Sequence, residues 1–274
     1  MCGTCGCSPE ENKIVLLDPV KAKSEPEHKH SHDHSHDHSH GHTHEHSHDH
    51  HHDHSHSHKV LEVEADILRQ NDLMAAKNRG FFEAKGILAL NLVSSPGSGK
   101  TSLLERTLSD LKDELSFYVI EGDQKTQNDA RRIAALDVPV VQINTGKGCH
   151  LESDTVLEAV RKLEVEDRGI LMIENVGNLV CPSMFDLGES KRVVIISTTE
   201  GDDKPLKYPD MFYTSDICII NKMDLLPYLD TDIETIKQNA LKVNPNLLFF
   251  EVSATKGNGM KDWYQWLTEQ YESI

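Results

Sequence analysis

Residues 94–101 read Ser94-Ser95-Pro96-Gly97-Ser98-Gly99-Lys100-Thr101. An apolar run, Ile87 to Val93, comes directly before them, and a helical pattern with Leu103, Leu104, Leu108 and Leu111 on one face follows. Strand, small-residue loop and helix in that order is the context of a phosphate-cradling loop. Backbone N–H groups free of bulky side chains curl around a phosphate where the helix N-terminus is partly positive. In this reading Gly97, Ser98, Gly99, Lys100, Thr101 and Ser102 bind phosphates, Lys100 as a point charge for the outer ones and Thr101 also as a Mg²⁺ ligand. One departure stands out: the first glycine of the general G-x-x-x-x-G-K-[ST] pattern is Ser94 here. The bland alternative, a chance turn ending in Gly-Lys-Thr, needs strand, loop and helix to coincide by accident.

Outward from this loop, six more short apolar runs follow at Phe117–Ile120, Val138–Ile143, Ile170–Ile173, Val193–Ile196, Ile217–Ile220 and Leu247–Val252. Helical stretches near 126–136, 151–164, 231–242 and 260–272 separate several of them. Strands alternating with helices predict an α/β fold of the P-loop NTPase class: a mostly parallel seven-stranded sheet with helices on both faces. Trp263 and Trp266, three apart on the last helix, read as packing residues. Upstream, Leu61, Ile67, Leu68, Leu73 and Met74 recur at helical spacing from Val60 to about Arg79, with Gly80 as the expected stop, and this helix is expected to dock on the domain.

Asn221-Lys222-Met223-Asp224 follows the sixth run, at a strand end where open α/β sheets bind ligands. Asp224 in that place accepts two hydrogen bonds that guanine offers and adenine does not. Ser253-Ala254-Thr255 after the seventh run extends the pocket, with the Ala254 N–H available to the guanine carbonyl. GTP is therefore the expected nucleotide. Glu121-Gly122-Asp123 and Asp129 after the second run, and Glu174 at the end of the fourth, put carboxylates at the same edge, where they hold Mg²⁺ or orient water. A solvated loop carboxylate is the competing reading for each; Glu174, just before Gly177, has the strongest claim.

The remaining signals concern metals. Cys2, Cys5 and Cys7 stand within six residues, joined by glycines and close to the terminal amine. That spacing suits a metal, and soft thiolates accept nickel, zinc or Cu(I) alike. Residues 28–58 hold 17 histidines in 31 positions, interleaved with Ser, Asp and Gly. With no core-forming residue the tract is expected to be disordered and to hold several ions loosely, as a reservoir or as a solvated spacer that happens to bind metal. Cys149-His150 follows the third strand and Cys181 follows Glu174 by seven residues. These three make a metal site whose geometry responds to nucleotide, or else two buried cysteines and a satisfied histidine. Cys218, inside an apolar run, reads as core.

Composition bounds what else the chain does. Net charge is −17, with 5 Lys against 10 Asp and Glu in residues 1–59 and 23 Lys and Arg against 35 in the rest, a surface that does not attract nucleic acid or anionic membrane. No apolar run is long enough to span a bilayer and no signal peptide is apparent, so the expected location is cytoplasmic, where the six cysteines serve metals before disulfides.

Taken together, the Cys-x-x-Cys-Gly-Cys start, the His tract, the phosphate loop, Asn-Thr-Gly-Lys-Gly-Cys-His at 144–150, Glu-Asn-Val-Gly-Asn-Leu-Val-Cys-Pro at 174–182 and Asn-Lys-Met-Asp resemble the HypB family of hydrogenase nickel-incorporation GTPases. The blocks at 144–150 and 174–182 are far more specific than the general GTPase motifs. The resemblance implies a slow GTPase that forms a GTP-dependent homodimer and works with a HypA-type nickel metallochaperone on a hydrogenase large-subunit precursor. It implies a tight Ni²⁺ site at Cys2, Cys5 and Cys7, and a second Ni²⁺ or Zn²⁺ site at Cys149, His150 and Cys181 near the dimer interface. It also implies that Asp129 and Glu174 lie near Mg²⁺, and that Lys100, Asp123, Asp129 and Glu174 carry the chemistry. The expected organisation is a cysteine motif and linker at 1–27, the His tract at 28–58 and the GTPase domain at 59–274.

Overall fold

The computed structural model of the protein describes residues 13–17, 55–124 and 126–274, without side chains over 55–64. Cys2, Cys5 and Cys7 and nearly all of the His tract lie outside these residues.

Every expected run forms a strand: β2 (Ile87–Ser94), β3 (Phe117–Asp123), β4 (Val140–Asn144), β5 (Gly169–Glu174), β6 (Lys191–Ser197), β7 (Ile217–Asn221) and β8 (Leu248–Glu251). An eighth, β1 (Lys13–Leu16), joins them. The sheet order is β1-β4-β3-β5-β2-β6-β7-β8, parallel throughout except for β1, which runs antiparallel to β4 with Lys13 opposite Asn144. The expectation of seven strands is thus corrected to eight. Lys-Ile-Val-Leu is a four-residue edge strand with both ends exposed, too short to show alternation, and it covers an edge that β4 would otherwise leave unpaired.

The helices are α1 (Ser55–Lys85), α2 (Lys100–Leu111), α3 (Asn128–Ala134), α4 (Ser153–Leu163), the short α5 (Lys204–Lys207) and α6 (Pro209–Tyr213), α7 (Ile233–Val243) and α8 (Met260–Glu272). All eight residues of β2 are buried. Leu88, Leu90 and Leu92 pack with Leu103, Leu104 and Leu108 of α2 and with Trp263 and Leu267 of α8. Ile87 and Ala89 pack on the opposite face with Phe82 of α1 and Val156 and Val160 of α4, while Val93 joins Ile236 of α7. Burying each large side chain contributes about 1.5–3 kcal/mol, so the central strand is a rigid base for the loop at its end. Trp263 is a packing residue as expected, its indole N–H donating to Thr107 Oγ1 at 3.0 Å. Cys218 is fully buried in β7.

Helix α1 corrects two expectations. It continues through Gly80 to Lys85 and stops before Gly86, whose φ of +62° is left-handed. Buried Phe82 holds that last turn on the domain, which outweighs the roughly 1 kcal/mol that a mid-helix glycine costs. The helix does dock, but through Asn71, Ala75 and Asn78, whereas Ile67 and Leu73 are 48% and 62% exposed. Among the described residues no helix is long and apolar enough to cross a membrane.

Candidate functional site

The parallel strands end along one edge, and β2 delivers Ser94 into a cleft of about 290 Å³. Residues 94–102 line it together with Glu121, Gly122, Asp123, Asp129, Arg132, Glu174 and Gly177. Gly97 and Gly99 have φ of +78° and +92°, a region that glycine adopts at little cost. A Cβ on Gly99 would sit 2.5 Å from Asn221 Nδ2, so close approach demands glycine there as well. Ser94, in the place of the usual first glycine, is buried and its hydroxyl donates to the Ser95 carbonyl at 3.0 Å.

Two cleft groups converge on one carboxylate. Lys100 Nζ donates to Glu174 Oε1 at 2.9 Å and Thr101 Oγ1 donates to the same oxygen at 2.6 Å. Glu121 stands opposite Glu174 in the β3–β5 register. Both are buried, and each keeps an Oε2 with no hydrogen-bond partner. Burial above all, and then the Glu174 and Asp123 charges, push the Glu121 carboxyl up to about 9, against the opposing pull of Lys100. Buried carboxylate oxygens without donors beside a threonine hydroxyl are the donor set of a hard divalent cation, so the residues present fit Mg²⁺. Asp123 Oδ2 accepts from the Thr126 N–H at 2.7 Å and its hydroxyl at 2.9 Å. Asp129 pairs with Arg132 at 3.0 Å, and Arg132 also pairs with Glu105.

The expected base-recognition residues are brought together at the ends of β7 and β8. Asn221 Nδ2 donates to the Ser98 carbonyl at 3.1 Å, and its Oδ1 accepts from the Lys222 and Ala254 N–H groups at 2.7 and 3.2 Å. The Ala254 amide offered to the base in the sequence reading is therefore already engaged by Asn221. Lys222 reaches the Gly97 carbonyl at 2.6 Å from a left-handed backbone, φ +62°. Asp224 Oδ1 accepts from Ser253 Oγ at 2.5 Å.

Cys149, His150 and Cys181, 32 residues apart at their extremes, converge so that one ligand atom from each lies within 4.8 Å of the others. Cys149 Sγ lies 2.7 Å from Cys181 Sγ and 3.7 Å from His150 Nδ1. The His150 ring stacks on Phe185 at 3.8 Å, with Nε2 buried and 3.6 Å from Glu152. Two thiols and an imidazole in that space form a donor set for a soft or borderline ion with an open fourth position.

A metal site whose geometry responds to nucleotide needs its segments beside the phosphates, but of the two only the 174–177 segment lines the cleft. Gly177 packs against Pro96 of the phosphate loop. The 144–150 segment is reached indirectly, with Gln124 Nε2 donating to the Gly148 carbonyl at 3.1 Å and Asn178 Nδ2 to that of Cys149 at 3.5 Å. Asn175 bridges the segments, its Oδ1 accepting from Leu151 N–H at 3.2 Å. Sequence reasoning did not single out Arg132, Asn175 or Asn91, to which Asn175 donates at 3.2 Å. Asn91 carried a signal, a lone amide inside the apolar run Ile87–Val93. Buried amides are kept where something must be hydrogen-bonded.

A family model described as CobW/HypB/UreG, nucleotide-binding domain, matches residues 88–251. The hydrogenase maturation factor HypB of Rhizobium leguminosarum bv. viciae is 58% identical over 209 residues, 76% of this chain and 70% of that protein. Among solved structures, HypB from Archaeoglobus fulgidus superposes with a TM-score of 0.69 at 36% identity, covering 74% of this chain and 99% of that one. HypB from Helicobacter pylori in complex with nickel superposes equally well, TM-score 0.69 at 39% identity over 74% and 96% of the two chains.

Proposed function

The chain belongs to the CobW/HypB/UreG nucleotide-binding family and, within it, to the hydrogenase maturation factors HypB; we propose that it is a slow GTPase that couples GTP binding, homodimerisation and hydrolysis to nickel insertion into a [NiFe]-hydrogenase large-subunit precursor. One observation carries the reading. Glu174 contacts Lys100 and Thr101 of the phosphate loop, and seven residues further on the same chain Cys181 meets Cys149. An incoming phosphate competes for Lys100 and Thr101, so Glu174 must change partners, and its backbone leads directly to a metal ligand.

In this proposal Gly97, Ser98, Gly99, Lys100, Thr101 and Ser102 hold the phosphates, while Asn221, Lys222, Asp224, Ser253 and Ala254 form the guanine pocket. Thr101, Asp129 and Glu174 hold Mg²⁺, which when bound neutralises charge on the β- and γ-phosphates. Asp123 and Glu174 orient the attacking water. Cys149, His150 and Cys181 carry nickel as cargo, with zinc as the competing occupant, and a HypA-type metallochaperone exchanges it. That the Helicobacter pylori neighbour is a complex with nickel supports nickel as the cargo. Cys2, Cys5 and Cys7 form the tight site and the 28–58 tract the reservoir; 17 histidines also favour a storage role beside delivery. Loss of hydrogenase activity and nickel in a deletion strain, with urease intact, separates hydrogenase delivery from both storage and urease insertion.

The direct test is metal stoichiometry of Cys149→Ala and Cys181→Ala with GDP and with a GTP analogue. Each variant should lose the same equivalent and keep GTP binding, and the parent's metal affinity should differ between nucleotides. By linkage metal then shifts nucleotide affinity by the same factor. Two variants losing different equivalents, or affinity indifferent to nucleotide, overturn the coupled site.

A further inference from the structure

Three buried polar side chains bind helix α1 to the two segments that carry Cys149, His150 and Cys181. Asn71 Oδ1 accepts from the Ser153 N–H at 3.0 Å and its hydroxyl at 2.8 Å, and Asn71 Nδ2 donates to the Asp186 carbonyl at 2.7 Å. Asn78 Nδ2 donates to both the Ser153 carbonyl at 2.7 Å and the Leu187 carbonyl at 3.0 Å. Ser153 Oγ lies 2.6 Å from the Asp186 carbonyl as well, so its one proton is shared between that carbonyl and Asn71 Oδ1. Ser153 lies three residues after His150, and Asp186 and Leu187 lie five and six after Cys181.

Helix α4 begins at Ser153, and its own N-cap, Glu152, makes no side-chain cap bond. Asn71 supplies that acceptor from another element, which fixes where α4 starts and so where His150 ends up. The partner segment is held equally closely: a Cβ on Gly188 would sit 2.5 Å from the Ala75 carbonyl and 2.7 Å from Asn78 Cβ. An apolar stripe would bury this helix without fixing its register, whereas directional bonds to three carbonyls and one amide set it.

We propose that Asn71 and Asn78 are positioning residues for the Cys149–His150–Cys181 metal site: α1 is a bracket that sets the spacing between its two ligand-bearing segments. The inference rests on the metal-site reading above and adds to it the element that determines the geometry. Neither asparagine lines the phosphate cleft. The bracket therefore acts at the metal site without contacting the nucleotide cleft.

The experiment uses the full-length chain carrying Cys2→Ala, Cys5→Ala and Cys7→Ala, in which thiolate-to-nickel absorption comes from the internal site. Nickel is titrated in against a competing chelator, with GTP affinity and far-ultraviolet circular dichroism measured in parallel. Asn71→Ala and Asn78→Ala should each lower nickel affinity by about 10–100-fold, the range for residues supporting metal ligands, and shift the charge-transfer band. In the metal-free protein GTP affinity should stay within about twofold, as for well-separated sites. Asn71→Asp keeps the acceptor for α4 but sets an oxygen against the Asp186 carbonyl in place of the donor, so it should also lower nickel affinity. Folded alanine variants with unchanged nickel affinity and spectrum overturn the proposal. Should either fail to fold, Asn71→Asp decides, since it removes the donor to the Asp186 carbonyl, with unchanged nickel affinity again overturning the proposal. If the background shows no thiolate band that Cys149→Ala removes, the metal-site reading itself falls first.

Discussion

Lys100 and Glu174 form a buried ion pair, 2.9 Å from Nζ to Oε1, with the two side chains 11% and 2% exposed. Glu174 accepts from Thr101 through the same oxygen. The pair joins the loop after β2 to the end of β5, adjacent strands of the sheet. It engages the two side chains assigned above to phosphate and Mg²⁺, so in the proposed function Glu174 is the point where nucleotide chemistry enters the segment leading to Cys181.

Glu174→Gln keeps the shape and one acceptor oxygen but removes the charge. GTP turnover should fall by about 10²–10³-fold, the scale for losing one preorganised electrostatic group, with a much smaller change in GTP affinity. Lys100→Ala should abolish hydrolysis. Single-turnover kinetics with separate binding measurements check both, and persistent turnover in Lys100→Ala would show that the loop does not bind the phosphates in this way.

Asp224, fixed by Ser253 at 2.5 Å, is the expected reader of the guanine ring. Hydrogen bonds to a charged group are worth about 1.5–3 kcal/mol each, so Asp224→Asn should weaken GTP binding by at least about tenfold and improve binding of xanthosine triphosphate. Competition between the two nucleotides measures the switch. Equal GTP affinity in parent and variant would remove Asp224 from the base pocket.

Glu121 predicts a pH dependence. Its folded carboxyl is pushed up to about 9 from an ordinary 4.5 by burial and by the facing Glu174. A raised folded value means that its stability contribution is complete below the unfolded pKa and is lost progressively as pH rises towards the folded one. The nucleotide-free protein should therefore lose stability from this group across that window. Glu121→Gln does not titrate, and its gain in melting temperature over the parent should be larger at about pH 8.5 than at about pH 5. A pH-independent difference would show that Glu121 is ionised in the fold.

The two N-terminal elements should separate by capacity and pH. Deleting 28–58 should remove most nickel capacity and spare the tightest equivalent, while the Cys2/Cys5/Cys7 triple alanine variant should do the reverse. Imidazole binds metal only when neutral, so tract-bound nickel should be held at about pH 7.5 and largely released at about pH 5.5. Isothermal titration with reductant present follows both. Loss of the tight equivalent on deleting the tract would merge the two sites.

What the chain declares locally, the sequence alone determined. The phosphate-loop motif, the seven runs that became strands and Asn-Lys-Met-Asp are contiguous patterns, and periodicity and spacing make them legible; Cys149-His150 and Cys181 are legible as residues, but the fold brings them together. Only the tertiary structure decided what depends on elements distant in sequence. Four residues of β1 have no pattern of their own and become a strand because β4 has an edge to pair. Phe82 carries α1 past Gly80 because the core has room for it. Glu121 and Glu174 are 53 positions apart and share a fate only through strand register. Asn71 and Asn78 gain their role only when the fold places carbonyls of two remote segments against them. Local patterns follow from backbone sterics and side-chain period, whereas a buried polar group takes its meaning from the partner that the rest of the chain brings to it.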